Sequence, residues 1–538
     1  MSRYGGRRVG DRAGVAMASG MAPLRNRVFR NLFIAQMVSN IGLWMQTVGA
    51  QWFLVDQHAG PTVISLVQTA SLLPTLLLSL VAGVLADVLN RKWLLVVVSA
   101  YATVVAGVMA VLAAVDLLDP GMLLVLTFLL GAGSALSAPA FQAVNPEIVP
   151  REQIADAASL GSMSINVARA VGPALAGALF TVGGAGVVFA INAVSYLAVV
   201  VALLRWRRPA DTSTMEPEHL GTSMVVGLRY VAAAPIVRRI LVRSALFAFP
   251  ASALWALLPL VVSNSFHFGS TGYGVVLGVL GCGAILGVLG LPWMRDHLSP
   301  NVILASSAVV FAVGTVAAAL GSTVVALIVF VPAGVAWIAT LSTLNAEIQL
   351  TLPAWVRARG MAAYLLVFMG SQGIGSLVWG ALGGLLTVRW ALLIAALALI
   401  LAALAVAVLP IHAETGTLDR TLSTAWPEPM LVFEPAPDDG PVRVVATYRV
   451  DAEHHDEFVD AMRGVALSRR RTGARNWHLY RNGEDSDDYV EQFVVGSWSE
   501  YQRQRTERWT EYDHQRVSDA LALTVDGRSH QEHLFTLR

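Results

Sequence analysis

The stretch Gly83-Val-Leu-Ala-Asp87-Val-Leu-Asn-Arg91-Lys92 separates two long apolar segments, and a degraded copy, Gly287-Val-Leu-Gly-Leu-Pro-Trp-Met-Arg295, interrupts the apolar pattern again in the second half of the chain. The copy keeps the glycine, valine, leucine and arginine at the same spacing. A second pair, Asn145-Pro-Glu147-Ile and Asn345-Ala-Glu347-Ile, recurs at nearly the same offset. Two copies in the same order and orientation predict a parallel repeat about an axis along the membrane normal, with a cavity between the halves.

The composition is that of a membrane protein. Of the 538 residues, 55% are hydrophobic and only 14% are charged, and the mean hydropathy is +0.61. Such values exclude an ordinary soluble protein of this size and favour a chain whose solvent is the lipid bilayer. Acidic residues become frequent only after residue 410, which predicts a separate polar domain there.

The apolar segments predict an all-α polytopic fold with twelve transmembrane helices, each close to the roughly 20 residues that a helix needs to cross the hydrocarbon core. They form two six-helix repeats, an N-terminal half over residues 29–204 and a C-terminal half over residues 240–410. The remaining segments are a disordered N-terminal stretch (1–28), a cytoplasmic linker with an interfacial helix (205–239), a Pro-rich linker (411–441) and a soluble domain (442–538).

The distribution of arginine predicts the orientation. If the N-terminus is cytoplasmic, the cytoplasmic connections hold nearly all basic residues near the spans, including Arg91, Arg205 and Arg295, and the outside connections hold only Arg389. Basic residues are enriched on the cytoplasmic side of membrane proteins. We therefore expect a multi-pass protein of the cell inner membrane with both termini in the cytoplasm and no cleaved signal peptide.

The last hundred or so residues change to short alternating segments. Strand patterns cover 442–450, 475–481, 489–495 and 533–537, and helical patterns follow Asp451 and cover 499–522. The order β-α-β-β-α-β predicts a small cytoplasmic α+β domain of the ferredoxin-like type.

The motif from Gly83 to Lys92, together with Asn31-Leu-Phe and Ser39-Asn-Ile-Gly42, resembles the loop 2-3 signature and first span of a major facilitator superfamily transporter. Within that superfamily it is most similar to the branch of the enterobactin exporter and the transmembrane secretion effectors. The resemblance implies a conformational gate built from Gly83, Asp87, Arg91 and Lys92, in which a charge cluster latches one helix to a neighbour. The alternative is that these residues only set the topology.

The gating motif departs from the family pattern at Val88 and Asn90, where arginine and glycine are usual. In the second copy Leu291 takes the place of Asp87. We therefore expect the charged latch in the N-terminal half alone.

A second motif lies in the fifth span. Its residues are Asn166, Arg169, Gly172, Pro173 and Gly177, and they resemble in part the Gly-Pro signature that exporters of the superfamily carry there. An arginine inside a membrane span is expensive, and by default it marks a functional site or a buried ion pair. We expect Arg169 either to stabilise the contact between the fifth helix and its neighbours or to meet an anionic group of the substrate.

Polar and aromatic side chains within the spans are candidates for a substrate cavity. In hydrocarbon such groups need partners, so they face the cavity or one another as interhelical contacts. The predicted cavity set is Gln36, Asn40, Trp44, Gln46, Gln51, Gln142, Asn145 and Gln372. With little fixed charge, this cavity suits large amphipathic molecules, at a site near the middle of the bilayer shared by the first, fourth, fifth, seventh and eleventh helices.

The source of energy is less well marked in the sequence. No G-x-x-x-x-G-K-[S/T] stretch occurs, which disfavours ATP-driven transport by this chain alone. Family resemblance implies proton antiport, with Asp56 or Glu147 as the proton carrier. The alternatives are a helix cap for Asp56 and an ion pair for Glu147. The histidines of the soluble domain have no accompanying cysteine, and we predict neither a metal nor a cofactor.

The soluble domain resembles the small antibiotic-biosynthesis-monooxygenase type of ferredoxin-like domain in its element order and aromatic content, including Trp477, Tyr480 and Trp498. That resemblance implies dimerisation through the sheet and no metal or bound cofactor. We favour a regulatory or self-associating role over catalysis.

Two other functions compete with that of an exporter of a drug, siderophore or secondary metabolite. One is a membrane-tethered enzyme whose soluble domain acts on a small molecule, and the other is a membrane sensor that does not transport. Twelve spans in two repeated halves argue against mere anchoring. The expected partners are therefore a small-molecule substrate and the lipid bilayer, not a nucleic acid.

Overall fold

The computed structural model describes residues 21–207, 229–353, 355–411, 421–423, 426, 429, 431–525 and 527–536. The side chains of a few helical residues, Asp87 and Asn145 among them, lie outside that description, as do most of the two predicted linkers. The chain divides into two compact units. Among the described residues the first covers 21–207, 243–343 and 365–408, and the second covers 229–242, 344–364 and 409–536, less the gaps above.

Long apolar helices make up the first unit, and nine helical segments of the described chain are long and apolar enough to cross a membrane. The helices are α1 (Arg27–Asp56), α2 (Pro61–Val88), α3 (Arg91–Ala114), α4 (Pro120–Ile148), α5 (Ile154–Arg205), α6 (Pro235–Asn264), α7 (Ser270–His297), α8 (Pro300–Leu320), α9 (Thr323–Thr351), α10 (Arg357–Leu385) and α11 (Val388–Leu404). α1 carries several amide side chains and is not among these nine segments. α11 has 17 residues and is shorter than the predicted span 388–409.

α5 is 52 residues long but turns back on itself at Gly184, whose φ of +67° is a left-handed conformation that glycine adopts without steric cost. Gly172 before the turn and Asn192 after it both lie against α1, beside Trp44 and Gly42. In a straight helix these two residues would be about 30 Å apart. α5 therefore has a first arm (154–183) and a second arm (185–205), which correspond to the predicted spans 157–181 and 185–204.

The helices alternate in direction, so each end of the first unit collects one set of helix termini. We call the end with Arg91, Arg205 and Arg295 the basic end, and the end with Asp56 and Pro61 the opposite end. The bundle is held by apolar packing that runs through both halves. A further apolar cluster, which includes Leu95, Val144 and Leu203, joins α3, α4 and α5 near the basic end.

The two halves approach each other most closely where small residues face backbone. A methyl group at Gly177 would lie 2.5 Å from the carbonyl oxygen of Ser270, and one at Gly274 would lie 2.7 Å from that of Pro173. On the other side of the bundle, Thr69 Oγ1 donates a hydrogen bond to the carbonyl oxygen of Gly373 at 2.9 Å. Close approach through small residues is how helices associate in lipid, where no hydrophobic force draws them together.

The second unit contains a four-stranded antiparallel sheet with the strand order β2-β3-β1-β4. Its elements are β1 (Val442–Arg449), α12 (His455–Thr472), β2 (Arg475–Arg481), β3 (Asp488–Val495), α13 (Trp498–Arg503), α14 (Glu511–Leu521) and β4 (His530–Phe535). Phe458, Met462 and Val465 of α12 pack on one face of the sheet, as their spacing in the sequence predicts.

The single helix predicted over 499–522 is wrong, because the segment holds two helices, α13 and α14, with a π-helical turn and two extended residues between them. Thr510 starts α14 with a capping box: its side chain and backbone N–H both engage the carboxylate of Asp513. Such a box satisfies the free N–H groups at a helix start and therefore favours a new helix at this point.

A buried polar network fixes the core of the sheet domain. Glu491 accepts hydrogen bonds from Arg469 Nε at 3.1 Å, from the Tyr448 hydroxyl at 2.7 Å and from Trp477 Nε1 at 2.8 Å. Burial raises the pKa of Tyr448 well above its ordinary value, and the charge of Glu491 raises it further. Because every member has a partner, the network can be buried without leaving an unsatisfied charge.

Trp355, on the connection between α9 and α10, also belongs to the second unit. Its ring meets that of Tyr230 edge-on, with centroids 5.5 Å apart, and the guanidinium of Arg508 lies 5.1 Å from its centroid. Arg508 is held in place by Glu500, at 2.6 Å from Nη1 and 3.2 Å from Nη2. The sheet domain thus contacts this helix connection through one tryptophan.

Candidate functional site

A cavity lies inside the first unit, and both halves line it. The N-terminal half contributes Trp44 of α1 together with Arg169 and Pro173 of the first arm of α5. The C-terminal half contributes Trp255 of α6, Trp337 of α9 and small or aliphatic residues of α7. The helices at this cavity are thus the first, fifth, seventh, eighth and tenth of the predicted spans, of which the first, fifth and seventh were expected at the site.

Arg169 is the one ionisable residue among the described residues that line the cavity. Its guanidinium lies 5.5 Å from the centroid of the Trp44 ring, a cation-π distance. Its Nε and Nη1 are buried and have no hydrogen-bond partner among the described residues. Both roles predicted for Arg169, a contact between the fifth helix and its neighbours and an anionic group of the substrate, therefore stay predictions: Trp44 of α1 is a neighbour, and the free donors have room for an acceptor.

An aromatic cluster forms the wall that faces Arg169. The ring of Trp255 lies 6.5 Å from that of Trp44 and 5.3 Å from that of Trp337. Trp337 also packs against Phe247 and Phe311 at 5.9 and 5.7 Å. Neither Trp255 nor Trp337 stands out in the sequence. In helices that are apolar on all sides, a tryptophan has no periodic pattern to distinguish it.

Contacts between the halves close the cavity toward the opposite end. The Tyr273 hydroxyl donates to Gln51 Oε1 at 2.7 Å, and the Thr181 hydroxyl lies 2.8 Å from those of Ser270 and Thr271. Thr62 Oγ1 adds a bond to the carbonyl oxygen of Gly380 at 3.2 Å. This end is a zipper of neutral hydrogen bonds, which can open without separating buried charges.

The fifth-helix motif lies at the junction of three helices. Gly172 lets Trp44 of α1 approach, and Gly177 lets the backbone of α7 approach. Pro173 lines the cavity. Asn166, in contrast, donates a hydrogen bond to the carbonyl oxygen of Ser162 within its own helix, at 3.0 Å. The glycines and the proline therefore position Arg169 at the boundary between the halves.

Of the described members of the predicted cavity set, only Trp44 lines the cavity. Gln46 is buried inside the N-terminal half, where it contacts Met109 and accepts a hydrogen bond from Asn192 at 3.3 Å, as interhelical contacts do. The other members are placed as follows: Gln36 bonds Asn40, Asn40 bonds Ser164, Gln51 is in the zipper of the opposite end, Gln142 is exposed, Gln372 is buried, and the side chain of Asn145 lies outside the described residues.

The gating motif lies at the basic end, at the junction of α2 and α3. Arg91 Nη1 binds Glu147 Oε1 of α4 at 2.7 Å, and Lys92 Nζ donates to the carbonyl oxygen of Trp206 at 2.6 Å. The side chain of Asp87 lies outside the described residues. Glu147 was predicted either to carry a proton or to form an ion pair. In the structure it forms an ion pair with Arg91 of the gating motif.

Asn90, a departure from the family pattern, has a structural role. Its side-chain oxygen accepts hydrogen bonds from the backbone N–H groups of Lys92 and Trp93 at 3.1 and 3.4 Å, so it caps the start of α3. Asp56, the other candidate proton carrier, is the last residue of α1 and is exposed at the opposite end. Within the described residues, no three His, Cys, Asp or Glu side chains are grouped so as to hold a metal ion.

Two sets of long apolar helices that enclose one cavity at their junction define the architecture of a membrane transporter. The family model of the transmembrane secretion effectors matches residues 18–535, which includes the sheet domain. The chain therefore belongs to that family of major facilitator superfamily transporters.

The curated relatives are transporters of small molecules. The staphyloferrin A transporter of Staphylococcus aureus is 26% identical over 243 residues, 44% of this chain and 60% of the relative. Macrolide efflux protein A of Streptococcus pyogenes is 24% identical over 44% of this chain and 60% of its own length, and the enterobactin exporter EntS of Escherichia coli is 26% identical over 47% and 62%. The match thus spans about three fifths of the length of these relatives.

Solved transporters share the fold. A bacterial homologue of the lysosomal transporter Spinster, in an inward-facing occupied conformation, superposes with a TM-score of 0.58 at 16% identity, over 71% of this chain and 96% of its own. A bacterial homologue of the iron transporter ferroportin gives 0.54 at 18% identity, over 70% and 97%. At these identities the likeness concerns the fold alone.

Proposed function

We propose that this chain is a secondary active transporter that exports small amphipathic molecules, such as a drug, a siderophore or a secondary metabolite, by alternating access. The observation that carries the proposal is the cavity whose walls come from both halves and which inter-half contacts close toward the opposite end. A cavity at the junction of two repeats changes its access when one half rocks against the other. The resemblance of the fifth-helix motif supports export rather than import, as does the similarity to a macrolide efflux protein and an enterobactin exporter.

In this proposal twelve spans cross the cell inner membrane, the two arms of α5 counting as two, and the basic end faces the cytoplasm with both termini. The positive-inside rule supports that orientation, because Arg91, Arg205 and Arg295 are at one end. The neutral zipper of the opposite end is then the outer gate. A substrate enters from the cytoplasm and leaves when the zipper opens.

The gate at the basic end is the charge cluster of the first motif copy. Arg91 joins the start of α3 to the end of α4 through Glu147, and the family role of the motif adds Asp87 to this cluster. We expect Asp87→Asn to lower the rate of efflux and to change the accessibility of the cavity from the two sides, without unfolding the protein. Unchanged efflux together with unchanged accessibility would contradict the gate.

Proton antiport is the coupling that family resemblance supports. Glu147 is the better carrier, since its partner Arg91 belongs to the gate, so that protonation of Glu147 would break an ion pair that holds α3 to α4. Asp56 would act, if at all, at the opposite end. Glu147→Gln should then transport without dependence on a proton gradient, whereas Asp56→Asn should keep that dependence.

The sheet domain is, in this proposal, a ferredoxin-like module with a regulatory or self-associating role and no catalytic one. Its strand order supports the fold type, and its contact with Trp355 supports a role that depends on the helix connection. The face of the sheet away from α12, which carries Tyr480 and Leu534, is the surface for self-association.

The competing function is a membrane-tethered enzyme. Truncation after Pro410 separates the two: we expect export to persist in the truncated chain, with an altered rate. Complete loss of export in a chain that still folds would favour the enzyme. A sensor would bind ligands in the cavity and export none.

The decisive experiment is counterflow in everted vesicles across a panel of siderophores and antibiotics, with and without a proton gradient. We expect gradient-dependent accumulation of at least one member, and its loss when Gly177→Val obstructs the contact between α5 and α7. Vesicles with Gly107→Val, on α3 at a position where an added methyl group would meet no described atom within 4 Å, are the matched control. Absence of accumulation for the whole panel would contradict the exporter.

A further inference from the structure

We infer that the central cavity selects an organic anion with a flat apolar body, held through its anionic group by Arg169 and through its body by Trp44, Trp255 and Trp337. The inference rests on the proposed exporter function, and it narrows the amphipathic substrate class to anions. It goes beyond the sequence prediction, which left Arg169 between a structural and a binding role and placed neutral amides at the site.

The first argument is the charge of the cavity. Arg169 is the one ionisable side chain among the described lining residues, and no carboxylate is among them. An arginine keeps its charge under all ordinary conditions because its intrinsic pKa is above 12. In a water-poor site a single fixed cation attracts anions strongly and repels cations, since the low dielectric constant leaves the field unscreened.

The second argument is the balance of donors and acceptors. Four nitrogen atoms on lining residues are buried and have no hydrogen-bond partner in the described part of the chain: Nε and Nη1 of Arg169, and Nε1 of Trp255 and of Trp337. All four are donors and none can accept. Buried polar groups are nearly always satisfied in folded proteins. An oxyanion such as a carboxylate or a phenolate supplies acceptors for several of these donors at once.

The third argument is the shape of the remaining surface. The ring centroid of Trp255 lies 6.5 Å from that of Trp44 and 5.3 Å from that of Trp337. Apart from these rings and Arg169, the lining residues are glycine, alanine, leucine and proline. Aromatic rings bind flat apolar groups by stacking and edge contacts. The same cavity thus offers an anion site at one wall and an aromatic slot beside it.

The test uses the full-length protein in nanodiscs of neutral phosphatidylcholine, so that no anionic lipid competes. Isothermal titration calorimetry compares three probes with one ring system: 1-naphthoate, neutral 1-naphthamide and the cation of 1-naphthylmethylamine. We expect 1-naphthoate to bind at least about tenfold more tightly than the amide, because a buried charge-assisted pair discriminates by one or more factors of ten. We expect no binding of the cation. Equal affinity for the acid and the amide would overturn the inference.

Substitutions then assign the selectivity to its residues. Arg169→Gln should abolish the preference for the acid over the amide, and Arg169→Lys should restore part of it. Trp337→Phe keeps a ring and removes one donor, so it should weaken 1-naphthoate more than the amide. Arg295→Gln, at an exposed arginine of α7 outside the cavity, is the matched control and should change nothing. If Arg169→Gln keeps the full preference for the acid, the inference is wrong.

Folding and function are separated by two further measurements. Monodisperse elution and an unfolding temperature within a few degrees of the parent identify variants whose binding data are valid, and Trp337→Phe carries the test if Arg169→Gln fails to fold. Arg169-dependent binding of 1-naphthoate in a protein that exports no panel member would contradict the exporter and leave the anion site standing. Export of neutral drugs by a protein that does not bind 1-naphthoate would support the exporter function and contradict the anion site.

Discussion

The two copies of the repeated motif occupy equivalent junctions, α2 to α3 and α7 to α8, yet they hold their helices by different forces. In the first, Arg91 binds the carboxylate of Glu147 at 2.7 Å. In the second, Arg295 donates to the backbone carbonyl oxygen of Ser342 at 3.0 Å. The same arginine therefore makes an ion pair in one half and a single bond to backbone in the other.

The difference extends to other positions of the two copies. Leu291, which replaces Asp87, is buried in an apolar cluster with Ile303 and Ala339. Gly287 is packed against α9, whereas a methyl group at Gly83 would meet no described atom within 4 Å. The second junction is thus held by close apolar packing, while the first is open and charged. Only at the first junction can a change of charge, such as protonation of Glu147, break the contact between the helices. A gate requires a contact of this kind.

The largest effect is expected from placing the charge of the first junction in the second. Leu291→Asp would bury a carboxylate among apolar side chains, at a position only 7% exposed, while Arg295 one turn further along the helix stays bound to the carbonyl oxygen of Ser342. We expect a loss of about 3–5 kcal/mol in the free energy of unfolding, the usual cost of an uncompensated buried charge. Titration with sodium dodecyl sulfate in mixed micelles measures it, and Leu291→Met is the control. Near-native stability of Leu291→Asp would mean that the second junction can accommodate a charged latch.

The glycines give the next largest contrast. Gly287→Ala would force a methyl group into the side chain of Ile338 and within 3.0 Å of the Cα of Val335. Overpacking of this kind costs about 1–3 kcal/mol. Gly83→Ala should instead gain up to about 1 kcal/mol, because alanine favours helix and finds open space there. The same unfolding titration compares the two, and equal effects would remove the distinction between a packed and an open junction.

Helix capping gives a smaller effect. Asn90→Ala should cost about 1 kcal/mol and Asn90→Gly only a few tenths, because glycine is itself tolerated at a helix start. Ser299, which caps α8 at the second junction, makes one bond of 3.4 Å to Val302 N, so Ser299→Ala should cost less than Asn90→Ala. If Asn90→Gly cost as much as Asn90→Ala, the side-chain hydrogen bond and not the backbone conformation of residue 90 would stabilise the start of α3.

The smallest effect concerns the ion pair itself. Arg91 and Glu147 are 30% and 18% exposed, so solvent screens their attraction. A double-mutant cycle of Arg91→Gln and Glu147→Gln should give a coupling of about 0.5–1 kcal/mol that declines with added salt. The control cycle of Arg295→Gln with Glu147→Gln should give no coupling. A salt-independent coupling would contradict an electrostatic gate.

The sequence predicted the transporter class because the repeat and the motif are local patterns, and the family match confirms it. It found Trp44 and Arg169, since polar or aromatic residues in a span stand out against an apolar background. It could not place Gln46, because a stripe on one helix does not reveal whether Asn192 or the cavity faces it. The break before α14 could have been found, since Thr510 and Asp513 have capping-box spacing.

The contact at Trp355 has a consequence for how the sheet domain can be regulated. Because the domain and this helix connection are parts of one chain, the contact is intramolecular and does not depend on the concentration of the protein. A cation-π pair contributes only about 1–2 kcal/mol, so the contact of Arg508 with Trp355 can break and re-form while the domain stays folded. A ligand that binds Arg508 more strongly than the tryptophan ring does would therefore release the helix connection.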